Sequence, residues 1–341
     1  MTIQDDIGVK KVSKDWVAYA ESLGIDKTCN IFEDVLVGVE VEVEKAYDIH
    51  SKLGKLSPIF YYTEDHSLRN GGIEILTRPI PAKTVVPAYK ALIDYLETFT
   101  PEYEFSKRTS LHLHFNMQDY TVTQVRNILF VYILFERHLF KYVCPLRRSN
   151  IFCIPLQETK VTKELIDDFY NCTRHGWGKY AAVNTLPLFS YGTLEFRLHE
   201  GTNNVNKVAN WLYILLSIIT FAVKQDESLY DQICGLNTNS MFYGFANAVF
   251  GNYLGYLDGP NFVDDMVKGI KHLKGVYGNT NVWNDFVIFI RGNRTEFRDG
   301  GNIKTSKWTV NPFQGPPPLT QEEIQQMINT ITVNTTTATN F

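Results

Sequence analysis

Residues 191–202 read YGTLEFRLHEGT, and the alternation inside that stretch decides how the fold is read. Side chains at i, i+2 and i+4 of an extended strand point to one side. Glu195, Arg197 and His199 therefore share a face, while Leu194, Phe196 and Leu198 share the other. The same period occurs twice upstream. VGVEVEVE at 37–44 sets Glu40, Glu42 and Glu44 against Val39, Val41 and Val43, and SLHLHFN at 110–116 sets His112 and His114 against Leu111, Leu113 and Phe115. Each strand has an apolar side that can anchor on a core and a side crowded with acid, imidazole or guanidinium groups. That polar side is the candidate active site.

Half-polar strands separated by long helical segments argue against a doubly wound parallel sheet, whose strands are apolar on both faces. They predict an α+β fold, an antiparallel sheet with helices packed on its outer face. Between the first two polar strands, FYYTEDHSLRNGGIEILTRPIP at 60–81 carries Asn70-Gly71-Gly72 between extended runs and reads as a β-hairpin. Apolar positions at helical spacing mark 84–99, with Thr84 as its cap, and 121–143, with Thr121 as its cap and Pro145 as its stop. A basic loop PLRRSN (145–150), a helical segment near 161–171 and a loop at 174–190 lead to the third strand. A helix at 205–224 packs behind it. Short helices and loops are expected from 226 to about 312. Together 1–312 reads as a single catalytic domain with its core motifs in 35–225. Residues 313–341 read as a C-terminal helix (QEEIQQMINTI) and an unpatterned, Thr-rich tail.

A chain of 341 residues is long enough to bury a large core. Its net charge of −4 argues against nucleic acid held on a general basic surface and leaves only a local basic cleft open to it. Five scattered cysteines without a CxxC pair point to reduced thiols in a cytoplasmic protein. The start of the chain lacks the apolar core of a signal peptide. WLYILLSIITFAV at 211–223 is too short to span a bilayer, so no membrane association is expected.

Taken singly, the polar motifs have plain explanations. A row of glutamates is ordinarily a solvated strand face, a histidine pair sits well on a half-buried sheet, and Glu195 beside Arg197 is a simple ion pair. Asp65 and Glu74 flank the hairpin turn with Arg78 beyond, as they would on a surface hairpin. Gly71 and Gly72 let a backbone approach a phosphate but are equally explained by the turn. Convergence changes the balance. Two unit charges at 4 Å repel by roughly 4 kcal/mol at an effective dielectric of 20. Glu40, Glu42, Asp65, Glu74 and Glu195 in one cavity therefore require cations. Carboxylates with histidine suit Mg2+ or Mn2+.

In order, the chain carries Gly38-Val39-Glu40-Val41-Glu42, Asp65-His66-Ser67-Leu68 with Gly71-Gly72-Ile73-Glu74, His112-Leu113-His114, and Gly192-Thr193-Leu194-Glu195-Phe196-Arg197-Leu198-His199-Glu200-Gly201-Thr202-Asn203. This series resembles the amidoligase family of carboxylate–amine ligases, distant relatives of glutamine synthetase and glutamate–cysteine ligase. The resemblance implies a glutamine-synthetase-like funnel around ATP and divalent cations. It implies Glu40, one histidine of the pair (His112 or His114) and Glu195 on the cation of the transferred phosphate. Glu42 and Glu74, with Asp65 assisting, would hold the second cation, and Arg197 would face the γ-phosphate. Arg174, Lys179 and Asn184 fall where the family often carries basic and amide residues, and the resemblance implies that they meet phosphate or substrate; Arg147 and Arg148 carry less, since loop charges are ordinarily solvated. The implied activity joins a small-molecule or peptide carboxylate to an amine through an acyl phosphate, in the host cytoplasm if the chain is phage-encoded. His66 replaces the family's usual small residue, and 226–341 shows no family motif. The alternatives are a single-metal oxygenase or hydrolase using HxH plus a carboxylate, and a non-catalytic phage-associated binding protein that retains the fold.

Overall fold

A computed structural model describes residues 35–46, 49, 60–156 and 180–276. These divide into two compact units, one drawing on residues 35–111 and 201–208, the other on 112–200 and 209–276. The architecture is α+β, with antiparallel strand pairing and helices. The N-terminal residues, the segment near 161–171, Arg174, Lys179 and the expected C-terminal helix and tail lie outside the described residues.

In the first unit, β1 (Leu36–Val43), β2 (Phe60–Glu64) and β3 (Ile73–Thr77) lie in the order β2-β3-β1, and β4 (Ile80–Pro81) pairs with the start of β1. The hairpin is as expected: β2 and β3 run antiparallel from Phe60 opposite Thr77 to Glu64 opposite Ile73. Asn70 (φ 54°) and Gly71 (φ 67°) both sit in the left-handed region that Asn-Gly tolerates. Gly72 follows because a Cβ there would lie 2.6 Å from Leu68 Cβ and 3.0 Å from the carbonyls of Arg69 and Val43. Helix α1 (Ala82–Phe99) packs on β1 and β4 and buries Val85, Tyr89, Leu92 and Leu96. It starts two residues before Thr84. Pro81 occupies the cap without a side-chain bond, and the Thr84 hydroxyl instead donates to the Pro81 carbonyl. The φ of proline is already suited to a helix entrance, so no hydroxyl cap is needed.

Strand β5 (Ser110–Asn116) passes from the first unit into the second. The second unit continues with α2 (Val122–Tyr142), a 3-10 turn (Pro145–Ser149), β6 (Val183–Asn184), α3 (Pro187–Ser190) and β7 (Thr193–Glu200). Helix α4 (Val205–Ala222) begins in the first unit and continues in the second, which ends with α5 (Leu229–Gly235), α6 (Asn239–Phe250), a second 3-10 turn (Gly251–Tyr256) and α7 (Phe262–Val276). The second unit's strands lie in the order β5-β7-β6. Met117 N bonds Gly192 O at one end of β5 and Gly201 N bonds Thr109 O at the other, so β5 and β7 are antiparallel.

Thr121 caps α2 as expected, in a reciprocal capping box with Gln124. The apolar rows of the strands meet this helix: Phe196 packs edge-on to Phe115, with ring centroids 5.5 Å apart, and lies 5.7 Å from Tyr132. Helix α4 is apolar and long enough to cross a membrane by composition alone. Val208, Trp211, Leu212, Leu215, Leu216 and Ile219 on it are nevertheless fully buried, which makes it a core helix here. Beyond 226 the expectation of short helices and loops falls short. α6 and α7 run to 12 and 15 residues, and α7 lies along α2. Their Gly and Asn content hides a pattern that packing against α2 stabilises.

Candidate active site

The alternation of β1 fixes the first group of acids. Glu40 and Glu42 share a face, and Glu74 on β3 stands directly opposite Glu42 in the antiparallel register. None of this is a solvated face: Glu40 and Glu42 are each 6% exposed and Glu74 7%. Like charges directly opposite on neighbouring strands are destabilising. Ligand oxygens of Glu40 and Glu74 lie within 4.8 Å of each other. Burial first, then the charges of Glu40, Glu42 and Asp65, push the Glu74 carboxyl well above the usual carboxylate range. A side-chain hydrogen bond with Glu40 adds to the rise, and a divalent cation bound there would relieve the repulsion.

Two partners of this group were not singled out from sequence. The backbone amide and hydroxyl of Ser110 both donate to Glu42 Oε2, at 2.8 and 2.6 Å. Ser110 begins the same alternating face as His112 and His114, so its position was readable. Arg108 Nη1 donates to the Ser67 carbonyl at 2.9 Å and steadies the loop that carries Asp65. Both Asp65 oxygens accept from Ser67, through its amide and its hydroxyl. Asp65 thus shapes the turn as well as charging Glu74. Glu44, third in the glutamate row, turns away to structure: it accepts from Arg69 N at 2.9 Å, and its backbone bridges Glu104. Arg78 is half-buried just past β3, and Gly71 is exposed at the hairpin tip.

The second group centres on Glu195, which is 3% exposed. Asn184 stands opposite it on β6. The Asn184 Oδ1 accepts from Leu186 N, which turns its Nδ2 to donate to Glu195 Oε2 at 2.6 Å. Expected to meet phosphate or substrate, Asn184 is found holding the carboxylate. Arg197 Nη1 donates to Glu195 Oε1, and Arg197 Nε donates to the Phe152 carbonyl at 3.4 Å. On β5, His112 Nδ1 lies 3.4 Å and His114 Nε2 3.9 Å from Glu195 Oε1, and His114 Nδ1 is 3.3 Å from the Thr193 hydroxyl. One carboxylate thus gathers an amide, a guanidinium and two imidazoles.

His199 shares the strand face of Glu195 and Arg197 but is closed off. Its ring is 5.5 Å from that of Trp211 and 6.4 Å from that of Tyr142, and its Nδ1 lies 2.7 Å from Glu200 O. Arg147 departs furthest from its sequence reading. It is 2% exposed, with its guanidinium on the carbonyls of Arg197 and Leu198. Nothing in PLRRSN signals this, because the acceptors lie fifty residues away in sequence. Arg148, by contrast, is exposed and donates to Phe140 O.

The donors suit hard divalent cations: among the described residues carboxylate oxygens predominate, imidazole is the minority, and no cysteine joins them. The arrangement can hold cations, present a fixed guanidinium to an anion, and orient both through neighbouring amide and hydroxyl groups. A search of the curated proteins finds no match. The family described as "putative amidoligase enzyme" matches residues 42–219, just over half of the chain, and takes in Glu42, the hairpin, the HLH strand and all of β7. The chain therefore belongs to the amidoligase family, a family of ligase-type enzymes.

Proposed function

We propose that this protein is an ATP-dependent carboxylate–amine ligase that works through an acyl phosphate, on a sheet shaped as in glutamine synthetase. The observation that carries this reading is the buried cross-strand pair Glu42 and Glu74, with Glu40 bonded to Glu74. Acids kept in that state disfavour the metal-free fold, which is understandable if cations are their normal partners. Glu195 and His114, the latter partly buried beside Thr193, are assigned to one cation, and Glu40, Glu42 and Glu74 to a second. Bound there, Mg2+ or Mn2+ would neutralise polyphosphate charge and draw ATP to the site.

Arg197 is held by Glu195 and the Phe152 carbonyl, so its charge stands ready without reorganisation where transferring phosphoryl oxygens gather charge. The γ-phosphoryl group passes from ATP to a substrate carboxylate oxygen, giving ADP and an acyl phosphate. The amine nitrogen then forms a C–N bond as the C–O bond to phosphate breaks, releasing phosphate and a proton. Positioning and charge carry such a reaction without a protein nucleophile.

The test is calorimetric titration of ATP with and without Mg2+, then an ADP-release assay over pooled carboxylates, amines and amino acids. Mg2+-dependent ATP binding and acceptor-stimulated turnover are expected. Tight iron or zinc without nucleotide affinity would replace this reading with the single-metal one. Binding of neither would leave a non-catalytic protein on a ligase fold.

A further inference from the structure

A buried guanidinium is an expensive way to fill a core, since an apolar side chain of similar volume fills the same space without desolvating a charge. The partners of Arg147 among the described residues are main-chain carbonyls rather than a carboxylate. Nε donates to Leu198 O at 2.9 Å and Nη2 to Arg197 O at 2.7 Å. Those carbonyls belong to two successive peptide units, and a planar fork gripping both fixes that stretch of backbone in a way no aliphatic side chain can. The segment that follows Arg147 turns back on the same residue. Its carbonyl accepts from Asn150 N at 3.2 Å and from Cys153 Sγ at 3.4 Å, and the intervening Phe152 carbonyl accepts from Arg197 Nε. Arg197 N in turn donates to Ala182 O at 2.9 Å. Residues 147–153 thus hold Arg197 by its backbone and by its side chain.

We propose that Arg147 is a positioning residue for Arg197. It fixes the peptide from which the Arg197 side chain projects, so that the guanidinium stays on Glu195 at the place where a transferring phosphate is bound. What Arg197 does in turnover rests on the ligase reading; its placement by Arg147 does not.

The test uses the full chain with Arg147→Met, which keeps volume and removes the fork, and Arg147→Lys, which keeps charge but not the planar fork. Three quantities are measured: the thermal midpoint, ADP release, and the Arg197 Nε–H resonance in 15N spectra, identified by its loss in Arg197→Lys. In Arg147→Met the midpoint should stay within about 4 °C, while the Arg197 resonance broadens or exchanges faster with water. kcat should fall on the order of 100-fold with KM for ATP within about threefold, the pattern of a misplaced group rather than a lost binding contact. Arg147→Lys should recover part of both signals. An unchanged Arg197 resonance in Arg147→Met overturns the proposal, as does a loss of kcat that merely tracks the loss of stability in both variants. If Arg147→Met does not fold, Arg147→Lys supplies the decision: a resonance and kcat as in the parent chain overturn the proposal. A parent chain that releases no ADP with any pool sinks the ligase reading alone, and the resonance still decides the positioning.

Discussion

Glu195 is the residue on which the second group turns, and its neighbours differ in how directly they act. Glu195→Gln keeps the shape and the Asn184 side of the contact while removing the charge that Arg197 and a cation need. It should leave the thermal midpoint nearly unchanged and reduce ADP release on the order of 1000-fold. Asn184→Ala removes only the group that orients the carboxylate. Partners of that kind typically change metal affinity or activity by about 10- to 100-fold. An Asn184→Ala loss as deep as that of Glu195→Gln would make Asn184 a direct participant, and no loss would make the contact incidental; Mg2+ titration with ADP release distinguishes them. The acids and imidazoles were legible in sequence because a strand's period is a local property. Asn184 was legible as a candidate but not in its role, since its partner is set by a two-residue strand too short to leave a pattern. Arg147 was not legible at all.

At the level of elements, the close approach of α7 to α2 is the feature most exposed to substitution. A Cβ on Gly269 would lie 2.6 Å from the Leu134 carbonyl oxygen and 2.9 Å from Leu134 Cα, both backbone atoms with little room to give. Gly269→Ala should therefore lower unfolding free energy by about 1–3 kcal/mol, even though alanine is the better helix former. A denaturation midpoint equal to or above that of the parent chain would mean the helices separate at no cost. Nearby contacts also clamp the pair: His138 Nε2 lies 3.0 Å from Phe262 O, and Lys141 pairs with Asp265. Helix α2 itself was readable end to end, because Thr121, Gln124 and the apolar run agree with one another. The helices after 226 were not, because their positions are set by what they pack against. The three polar strands agree with the sequence reading to within two residues at either end.

Over the whole molecule, the buried acids tie stability to pH, and the proposed ligase reading predicts that divalent cations act on the same term. The Glu74 carboxyl lies above its unfolded range because of burial and the charges of Glu40, Glu42 and Asp65. A carboxyl raised on folding adds stability below its unfolded pKa and loses that contribution as pH rises through the folded value. The metal-free protein is thus penalised by this group toward neutral pH, where a cation has most to relieve. Mg2+ should raise the thermal midpoint more near neutrality than at about pH 5, and Glu74→Gln should flatten that difference. Equal Mg2+ shifts at both pH values, measured by scanning calorimetry, would detach Glu74 from cation binding. Strand β7 has a consequence of another kind. Its eight residues carry polar groups on one face and apolar side chains on the other. Inserting or deleting one codon within it would exchange the two sets beyond that point, sending Phe196 and Leu198 to the polar face and Glu195 and Arg197 into oil. Evolution can lengthen the loops around this segment, but inside it length is frozen while identity remains open to change.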